Sequence, residues 1–341
     1  MKLAIIGAGV AGLAAAHRLR SLGSGLEIVV FEKSRGVGGR AATRRAHGAT
    51  FDHGAQYVKA PTPELEALLR HTLPTAPVDI ALPVWTFDRH NRIAEGDHAQ
   101  NRDPKWTYVD GITRLAKELA HGLDLRLTTR ISRIAQANGS YILFDEQDTI
   151  VGATDAVLLT PPAPQTRDLI AASALSRTAQ TTILAELDKV TYRACLSVTL
   201  GYPPRLRSRP FYALVNTDRQ HPISWLAYEH LKPGRSSADQ HVLIAQMAPE
   251  WSVAHWNDPP PLLAEQVAEL VGSLLEESLR APLWSDRQGW RYALPDGRAD
   301  FETLNSAIGG LFFAGDYTAG QGRVHLAIEQ GWKVAERIAA R

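Results

Sequence analysis

The segment from Lys2 to Glu32 constrains the fold of this chain more than any other part of the sequence. A short apolar run, KLAIIG, leads into three glycines, Gly7, Gly9 and Gly12, and the following LAAAHRLRSLG places apolar side chains at helical spacing. A second apolar run, LEIVVFE, ends at Glu32, twenty residues after Gly12. This order of strand, glycine turn, helix, strand and acidic residue is the fingerprint of a dinucleotide-binding βαβ unit.

Each residue of this fingerprint has a physical task. Gly7 permits a tight turn, Gly9 lets the backbone approach a pyrophosphate, and Gly12 lets the helix pack closely on the strand. The first turn of the helix offers unpaired N–H groups and the positive end of its dipole to the phosphates. Glu32 can accept hydrogen bonds from a ribose diol. The alternative is a glycine-rich turn in an ordinary βα unit, and the complete register of strand, helix and acid argues against it.

The next segment, FEKSRGVGGR at residues 31–40, indicates which dinucleotide the unit binds. It places Gly38, Gly39 and Arg40 within eight residues of Glu32. Paired glycines let the chain pass close to a pyrophosphate, and the planar guanidinium of Arg40 can lie against it. A nicotinamide site usually continues into the next helix with little glycine, so the second glycine motif favours a flavin dinucleotide. A surface arginine in a loop is the alternative for Arg40.

A third part of the same pattern lies near the C-terminus, in GGLFFAGDYTAGQGRVHLAIEQGWKVAERIAAR. It predicts a strand at 311–314, then Gly315 and Asp316, a glycine loop, and a helix that begins near Arg323 and Val324. Asp316 can accept a hydrogen bond from a ribityl hydroxyl, and a helix N-terminus favours the negative charge of a reduced flavin. Taken alone, Asp316 would be an N-cap, but the N-terminal fingerprint favours the cofactor interpretation.

Composition excludes several other classes of protein. A length of 341 residues suggests two domains, and 37 basic against 36 acidic residues give no field that would recruit nucleic acid or an anionic membrane. No apolar run reaches the roughly 18 residues of a membrane span. The single cysteine, Cys195, excludes an internal disulfide and a multi-cysteine metal site, and no metal is predicted. Because the first apolar run breaks at Gly7, we expect no signal peptide and a cytoplasmic location.

Three segments, IIGAGVAGLAAAHRL, FEKSRGVGGR and FFAGDYTAGQGRV, resemble the FAD-dependent oxidoreductases of the amine-oxidase superfamily. Five further segments are similar to the renalases, especially the bacterial ones: FDHGAQYV (51–58), YVDGITRLAKELA (108–120), LLTPPAPQT (158–166), SWLAYEHLKPGR (224–235) and GWRYALPDG (289–297). The resemblance implies an α/β fold in which a Rossmann-like FAD-binding domain is interleaved with a smaller substrate domain of a mixed sheet plus helices. The FAD-binding domain would comprise 1–70, 102–165 and 286–341, and the substrate domain 71–101 and 166–285.

The same resemblance implies the site residues. FAD would be noncovalent, because the superfamily's covalent link uses a C-terminal cysteine that this chain lacks, and Tyr57 and Gln56 would be catalytic. The implied cofactor-binding residues are Gly7, Gly9, Ala11, Gly12, Glu32, Lys33, Ser34, Gly38, Gly39, Arg40, Ala55, Gln56, Tyr57, Ile131, Gly315, Asp316, Arg323 and Val324. The implied substrate-binding residues are Tyr57, Trp225, Tyr228 and Trp290, for which core packing is the alternative.

For activity, the resemblance implies transfer of hydride from isomeric dihydronicotinamides (2- or 6-dihydroNAD(P)) to flavin and then to O2, giving NAD(P)+ and hydrogen peroxide. Many amine oxidases carry a lysine on the strand corresponding to ACLSVTL; this strand has none, and Lys189 lies five residues before Ala194. A dihydronicotinamide has no proton to lose, so it needs placement more than a base. A flavin amine oxidase or desaturase of a small substrate is the alternative. A non-catalytic binding protein on the same fold is the lesser one, because it would not need Glu32, Arg40 and Asp316 together.

Overall fold

A computed structural model of the chain describes residues 1–137, 139–235 and 239–341. The chain divides into two compact units. The first unit consists of Met1–Ala41, Leu115–Tyr192 and Leu294–Arg341, and the second of Ala42–Arg114 and Arg193–Ala293.

The strands are short and numerous, and the helices fall between them. The strands in chain order are β1 (Lys2–Ile6), β2 (Glu27–Phe31), β3 (Thr43–Ala46), β4 (Ala49–Asp52), β5 (Val78–Asp79), β6 (Val84–Phe87), β7 (Ile93–Ala94), β8 (Trp106–Thr107), β9 (Asp124–Arg126), β10 (Ile131–Ala137), β11 (Ser140–Asp145), β12 (Ile150–Thr154), β13 (Ala156–Leu159), β14 (Thr191–Tyr202), β15 (Ala213–Asn216), β16 (Ile223–Tyr228), β17 (His241–Met247), β18 (Trp284–Asp296) and β19 (Leu311–Phe313). The α-helices are α1 (Val10–Ser21), α2 (Pro63–Ala67), α3 (His98–Arg102), α4 (Thr113–Leu119), α5 (Ala163–Ala171), α6 (Arg177–Leu187), α7 (Pro249–Ala254), α8 (Pro260–Leu275), α9 (Phe301–Ser306), α10 (Asp316–Ala319) and α11 (Val324–Ala339). A π-helical turn, Leu68–Thr72, follows α2, and a 3-10 turn, Glu229–Leu231, follows β16. Across the described ranges, no helix has both the length and the apolar character needed to cross a membrane.

The first unit is built on a five-stranded parallel sheet of strand order β19-β13-β1-β2-β9. The inner strands β1 and β13 are almost entirely buried apolar runs, as strands covered on both faces must be, whereas the edge strand β9 has the sequence DLR. Ile5 of β1 lies between Leu158 and Val30 of its two neighbours. Because these strands are parallel, their carboxyl ends meet at one edge of the sheet. The glycine fingerprint after β1, Glu32 after β2 and Asp316 after β19 therefore share that edge.

Helices α1 and α11 of the first unit pack closely because α11 carries a glycine at the contact. A Cβ on Gly331 would lie 2.4 Å from the carbonyl oxygen of Ala11 and 3.0 Å from the backbone nitrogen of Ala15. The helix, the strand before it and the βαβ unit at the N-terminus were all predicted from the sequence, and the structure confirms them. The separate short helix α10 was not predicted.

The second unit contains a seven-stranded mixed sheet of strand order β18-β14-β17-β16-β15-β6-β7. Strands β15 and β6 are parallel, whereas the pairs β15–β16, β16–β17 and β14–β17 are antiparallel. One face of the sheet packs on α8, whose apolar residues Leu263, Val267 and Val271 recur at helical spacing and meet Leu226 in one core. The opposite face carries Trp225 and a smaller apolar cluster.

The boundaries of the units differ from the predicted ones. Residues 42–70 belong to the second unit, because the β3–β4 hairpin packs Phe51 against Val242 and Ile244 of β17. Residues 166–192 belong to the first unit, because α5 and α6 bury Ile170 and Ile183 in its core. The boundaries predicted at 102 and 286 move to 115 and 294. Similarity to a family predicts the order in which segments of the two units alternate along the chain. The exact boundary between units depends on which core each segment packs against.

Candidate active site

Two glycine loops of the first unit lie against each other at the carboxyl edge of the parallel sheet. The backbone N–H of Gly38 donates to the carbonyl oxygen of Ala8 at 2.8 Å, and Gly9 pairs with Gly38 as an isolated bridge. Gly7 and Gly38 have φ angles of 103° and 111°, which favour glycine. A Cβ on Gly12 would lie 2.4 Å from the carbonyl oxygen of Gly7, whereas one on Gly9 would meet nothing within 4 Å. The loops form a backbone cradle that is open at Gly9 and fits a pyrophosphate.

Glu32 lies next to this cradle with its carboxylate held in place by the backbone. The N–H of Ala8 donates to Oε2 at 2.9 Å and that of Ser34 to Oε1 at 2.8 Å. A carboxylate accepts up to about four hydrogen bonds, so Glu32 can bind a ribose diol in addition to these two donors. Glu32 is 9% exposed, and the hydrogen bonds explain how its charge is tolerated there.

A cavity of about 570 Å³ begins at the residues that follow Glu32 and has room for the adenosine end of a dinucleotide. Its lining residues are Lys33, Ser34, Thr128, Thr129, Arg130, Asp145, Glu146, Gln147 and Val151. The family resemblance implied that the backbone near Ile131 lies against the adenine. The side chain of Ile131 is buried in the core of the first unit with Phe31, which leaves its backbone for that predicted contact.

Arg40, Asp316 and Tyr192 form a triad that sequence reasoning missed. Arg40 Nη1 donates to Asp316 Oδ2 at 2.6 Å, and the Tyr192 hydroxyl donates to Asp316 Oδ1 at 2.8 Å. The guanidinium of Arg40 lies 5.7 Å from the centre of the Tyr192 ring. Burial, together with the charge of Asp316, raises the pKa of Tyr192 well above its ordinary value. Arg40 and Asp316, each predicted to contact the cofactor, form one ion pair with each other at the carboxyl edge of the sheet.

The N-terminus of α11 lies where the sequence predicted it, with Arg323 as the N-cap and Val324 as the first helical residue. Arg323 is exposed and Val324 half-buried. Gly315 precedes Asp316, which begins the short helix α10. The first turn of α11 offers backbone N–H groups, and the contact of these residues with a flavin stays a prediction.

In the second unit, Tyr57, Trp225 and Tyr212 form an aromatic wall. The ring centres of Tyr57 and Trp225 are 6.1 Å apart at an interplanar angle of 51°, and those of Trp225 and Tyr212 are 6.3 Å apart. Tyr57 and Trp225 are half-buried and pack on Ile80 and Ala227. Within the part of the chain that the structure describes, the buried indole Nε1 of Trp225 has no hydrogen-bond partner. The indole N–H of Trp225 could therefore donate a hydrogen bond to an acceptor on a ligand bound against the aromatic wall.

Tyr228, predicted as a substrate residue, does not belong to this wall. Side chains alternate between the faces of a strand, so Trp225 and Ala227 face the aromatic wall while Leu226 and Tyr228 face the core under α8. Tyr228 is 1% exposed and packs against Phe211. Its spacing of three residues from Trp225 already places it on the opposite face.

Trp290 packs on the loop that leads to Tyr57. Its indole Nε1 donates to the carbonyl oxygen of His53 at 2.8 Å, and its ring is stacked on the His53 ring at 5.4 Å and 11°. Burial, with the nearby charge of Arg44, lowers the pKa of His53 to about 4, so its imidazole is neutral at pH 7. Trp290 is half-buried, and its polar atom is engaged with the protein.

Four charged residues behind this loop, Asp52, Glu229, Lys232 and Arg235, form a buried charge cluster. Lys232 Nζ lies 2.9 Å from Asp52 Oδ2 and 2.8 Å from Glu229 Oε2, and Arg235 bonds both carboxylates. No side chain of the four is more than 1% exposed. Burial opposes the charge of Asp52, but the charges of Lys232 and Arg235 lower its pKa to about 2. Two cations and two anions cancel, as burial requires.

The lysine of the KPGR segment, Lys232, is part of this buried charge cluster. Lys232 is held by two carboxylates away from solvent, and Lys189 pairs with Glu186 in the first unit. Cys195 lies in β14, and burial raises the pKa of its thiol to about 12. A covalent flavin link would need a thiolate, which this thiol does not provide at neutral pH.

Comparison with known families agrees with this geometry. The family described as flavin containing amine oxidoreductase matches residues 90–339. The family described as NAD(P)-binding Rossmann-like domain matches residues 5–72, the segment that carries both glycine loops and Glu32.

Solved structures share the fold over the whole chain. A putrescine oxidase bound to putrescine has a TM-score of 0.76 at 16% identity and covers 100% of both chains. Cyclohexylamine oxidase from Brevibacterium oxydans IH-35A has a TM-score of 0.74 at 14% identity, with 99% of this chain and 98% of that chain covered. At these identities the likeness shows the fold alone.

A curated relative matches a short part of the chain. It is the 4,4'-diapophytoene desaturase (4,4'-diaponeurosporene-forming) of Staphylococcus aureus (strain Newman), 51% identical over 61 residues. These residues are 18% of this chain and 12% of the desaturase, so the chain matches only a small part of that protein's length.

Proposed function

The chain belongs to the family of flavin-containing amine oxidoreductases, and from that premise we propose that it is a renalase-like oxidase of isomeric dihydronicotinamides. It is an oxidoreductase with FAD as its cofactor. The substrate would be 2- or 6-dihydroNAD(P), and the balanced reaction is dihydronicotinamide plus O2 plus H+ to NAD(P)+ plus H2O2. When bound, FAD supplies the two-electron acceptor for this exchange.

In the first unit, the residues already placed at the carboxyl edge would hold the cofactor. The cradle would take the pyrophosphate through the backbone N–H groups at the start of α1, where Gly9 is the N-cap, and Glu32 would take the ribose. The ion pair of Arg40 and Asp316 would meet the remaining phosphate and hydroxyl groups as a unit. In the second unit, Ala55 to Tyr57 remain the proposed flavin-side segment.

One observation supports the choice of substrate: the buried charge cluster, whose Lys232 Nζ lies 5.8 Å from the ring centre of Tyr212 in the aromatic wall, is internally neutralised. Lys232 and its partners in the buried charge cluster are bound to each other and shielded from solvent. A dihydropyridine becomes an aromatic cation when hydride leaves and gives up no proton, so its reaction needs alignment and no base. The N–H of Trp225, which has no partner among the described residues, also suits a substrate with a carbonyl acceptor, such as the nicotinamide carboxamide.

The second candidate is oxidation of a small amine. Two solved structures of the same fold are named as putrescine and cyclohexylamine oxidases. The faces of Tyr57 and Trp225 can attract a cation. A protonated amine must lose its proton before hydride leaves, whereas a dihydronicotinamide need not. The two candidate functions therefore predict different pH dependences for the rate of flavin reduction.

Anaerobic mixing with a panel of donors is the first test. We expect 2- and 6-dihydroNAD to bleach the flavin quickly, while ordinary 4-dihydro NADH does so poorly because the wrong carbon is presented. Tyr57→Ala should slow reduction by the isomers about tenfold by loosening alignment, with FAD still bound. Tyr57→Phe, which keeps the ring, should remain close to the wild-type rate. Reduction by simple amines and by none of the isomers would assign the protein to the amine oxidases.

A further inference from the structure

We propose that Gln56 is a positioning residue, which anchors the loop carrying Tyr57 to the buried charge cluster and does not touch cofactor or substrate with its carboxamide. This deepens the proposed function, on which it rests for the role of Tyr57. The family resemblance implied that Gln56 is a catalytic residue next to Tyr57. Its side chain is turned into the protein instead, and the residue is 7% exposed.

The carboxamide of Gln56 makes four hydrogen bonds within the second unit. Nε2 donates to the carbonyl oxygens of Asp52 and, at 3.3 Å, Gly54. Oε1 accepts from the hydroxyl of Tyr212 at 3.1 Å and from Nζ of Lys232 at 3.3 Å. A primary amide has two N–H donors and two acceptor lone pairs, so these contacts use its full capacity. No donor or acceptor remains for a ligand.

The chemistry of the partners fixes the orientation of this amide. Lys232 can only donate, so the atom facing it must be the oxygen. The backbone carbonyls of Asp52 and Gly54 can only accept, so the atom facing them must be the nitrogen. A flipped amide would oppose like groups at both ends. The carboxamide therefore has one stable arrangement, and that arrangement holds the backbone on both sides of His53.

Through these contacts Gln56 links the loop to two rigid features. Lys232 belongs to the buried charge cluster, which ties β4 to the 229–235 segment. Tyr212 belongs to the aromatic wall and lies against Trp225. One side chain thus sets the loop backbone immediately before Tyr57 against both the cluster and the wall. A shift of about 1 Å at a reacting position can cost roughly a hundredfold in rate, so such an anchor matters for turnover.

Gln56→Glu tests this inference because it keeps the shape and removes the N–H donors. An ionised carboxylate would oppose the carbonyls of Asp52 and Gly54, whereas a protonated one has an O–H that can donate to one of them. Lys232 and Arg235 favour the ionised form, while burial and the charges of Asp52 and Glu229 oppose it. Burial holds the pKa of Tyr212 well above its ordinary value, so Tyr212 stays neutral throughout.

The expected result is a new pH dependence in the reduction of the bound flavin. With 6-dihydroNAD under anaerobic conditions, the variant should react within about twofold of wild type at pH 6 and at least about tenfold more slowly at pH 9. FAD affinity should be unchanged. A residue that only stabilises the fold would alter the melting temperature but leave the rate constant of the folded holoenzyme flat in pH. A rate constant close to that of wild type from pH 6 to pH 9 would overturn the proposal.

The matched control is Gln180→Glu in the first unit. The Gln180 carboxamide also donates to backbone carbonyls, those of Ile170 at 2.8 Å and Ser173 at 3.0 Å. The Gln180→Glu variant should show no new pH dependence of flavin reduction.

If Gln56→Glu does not fold, Tyr212→Phe provides a second test, because it removes one hydrogen bond to Gln56. It should lower the rate of flavin reduction at least threefold at unchanged FAD affinity. An unchanged rate would overturn the proposal. If only amines reduce the wild type, the proposed function fails, but the variant-to-wild-type ratio with putrescine still tests Gln56.

Discussion

Lys232→Met should lower the free energy of unfolding by about 3–5 kcal/mol at pH 7, because it leaves two buried carboxylates with one cation. For a unit of this size the loss corresponds to a fall in melting temperature of roughly 10 °C. The pKa of Asp52 in the folded chain, about 2, lies below its unfolded value near 3.9. Asp52 therefore contributes stability above about pH 4 that disappears as the pH falls towards 2.

Lys59→Met is the matched control for this change. Lys59 pairs with Asp103 at 3.4 Å in the same unit, but the side chain of Asp103 is 68% exposed. Such pairs contribute about 0–1 kcal/mol. In denaturant titrations at pH 7 we expect a large loss in the free energy of unfolding for Lys232→Met and little change for Lys59→Met. The loss for Lys232→Met should be smaller at pH 4, where one of the two buried carboxylates of the variant takes up a proton. Equal effects of the two substitutions would contradict the account of a paired, solvent-free cluster.

Arg40→Ala should weaken FAD binding by one to two orders of magnitude. A hydrogen bond to a charged group contributes roughly 1.5–3 kcal/mol, and the substitution also leaves Asp316, which is 5% exposed, without its cation. Glu32→Ala should have an effect of the same size, since it removes the ribose acceptor and the anchor of the Ala8 and Ser34 N–H groups. Titration of the apoprotein with FAD, followed by flavin fluorescence, measures both.

Arg337→Ala provides the control for Arg40. Arg337 also forms an ion pair in the first unit, with Glu302. It lies on the last helix, α11, far along the chain from the glycine loops. We expect it to leave FAD affinity unchanged. If Arg40→Ala and Glu32→Ala bind FAD as tightly as Arg337→Ala does, the assignment of the carboxyl edge as the cofactor site is contradicted.

Local patterns predicted the nucleotide-binding half of the molecule well. The fingerprint around Gly9, the end of β2 at Glu32 and the start of α11 at Val324 depend on short-range spacing, which a single sequence shows directly. The pairing of Arg40 with Asp316 depends on the meeting of two parallel strand ends, and the sequence only places both residues at that edge. Tyr192, the third member, is one aromatic residue at the start of a strand and carries no local signal.

The second unit was less predictable because its site depends on which face each side chain occupies. The alternation along β16 separates Trp225 from Tyr228, and this could have been read from their spacing. The inward orientation of the Gln56 side chain could not be predicted from spacing, because it depends on a contact with Lys232, which lies far away in the sequence. The lysine in KPGR is a charge partner of Asp52, and only the fold brings those segments together.

The most direct test of the central claim is the pH dependence of flavin reduction between pH 6 and 9, measured anaerobically in a stopped-flow instrument. If hydride leaves a dihydropyridine, the donor carries no titrating proton, and the rate with 2- or 6-dihydroNAD should be nearly flat. An amine with a pKa near 10.4 gains neutral form by roughly a thousandfold over this range, so its rate would climb steeply. Rapid, pH-independent reduction by the isomers is the result expected here. Reduction by amines alone, rising with pH, would contradict it.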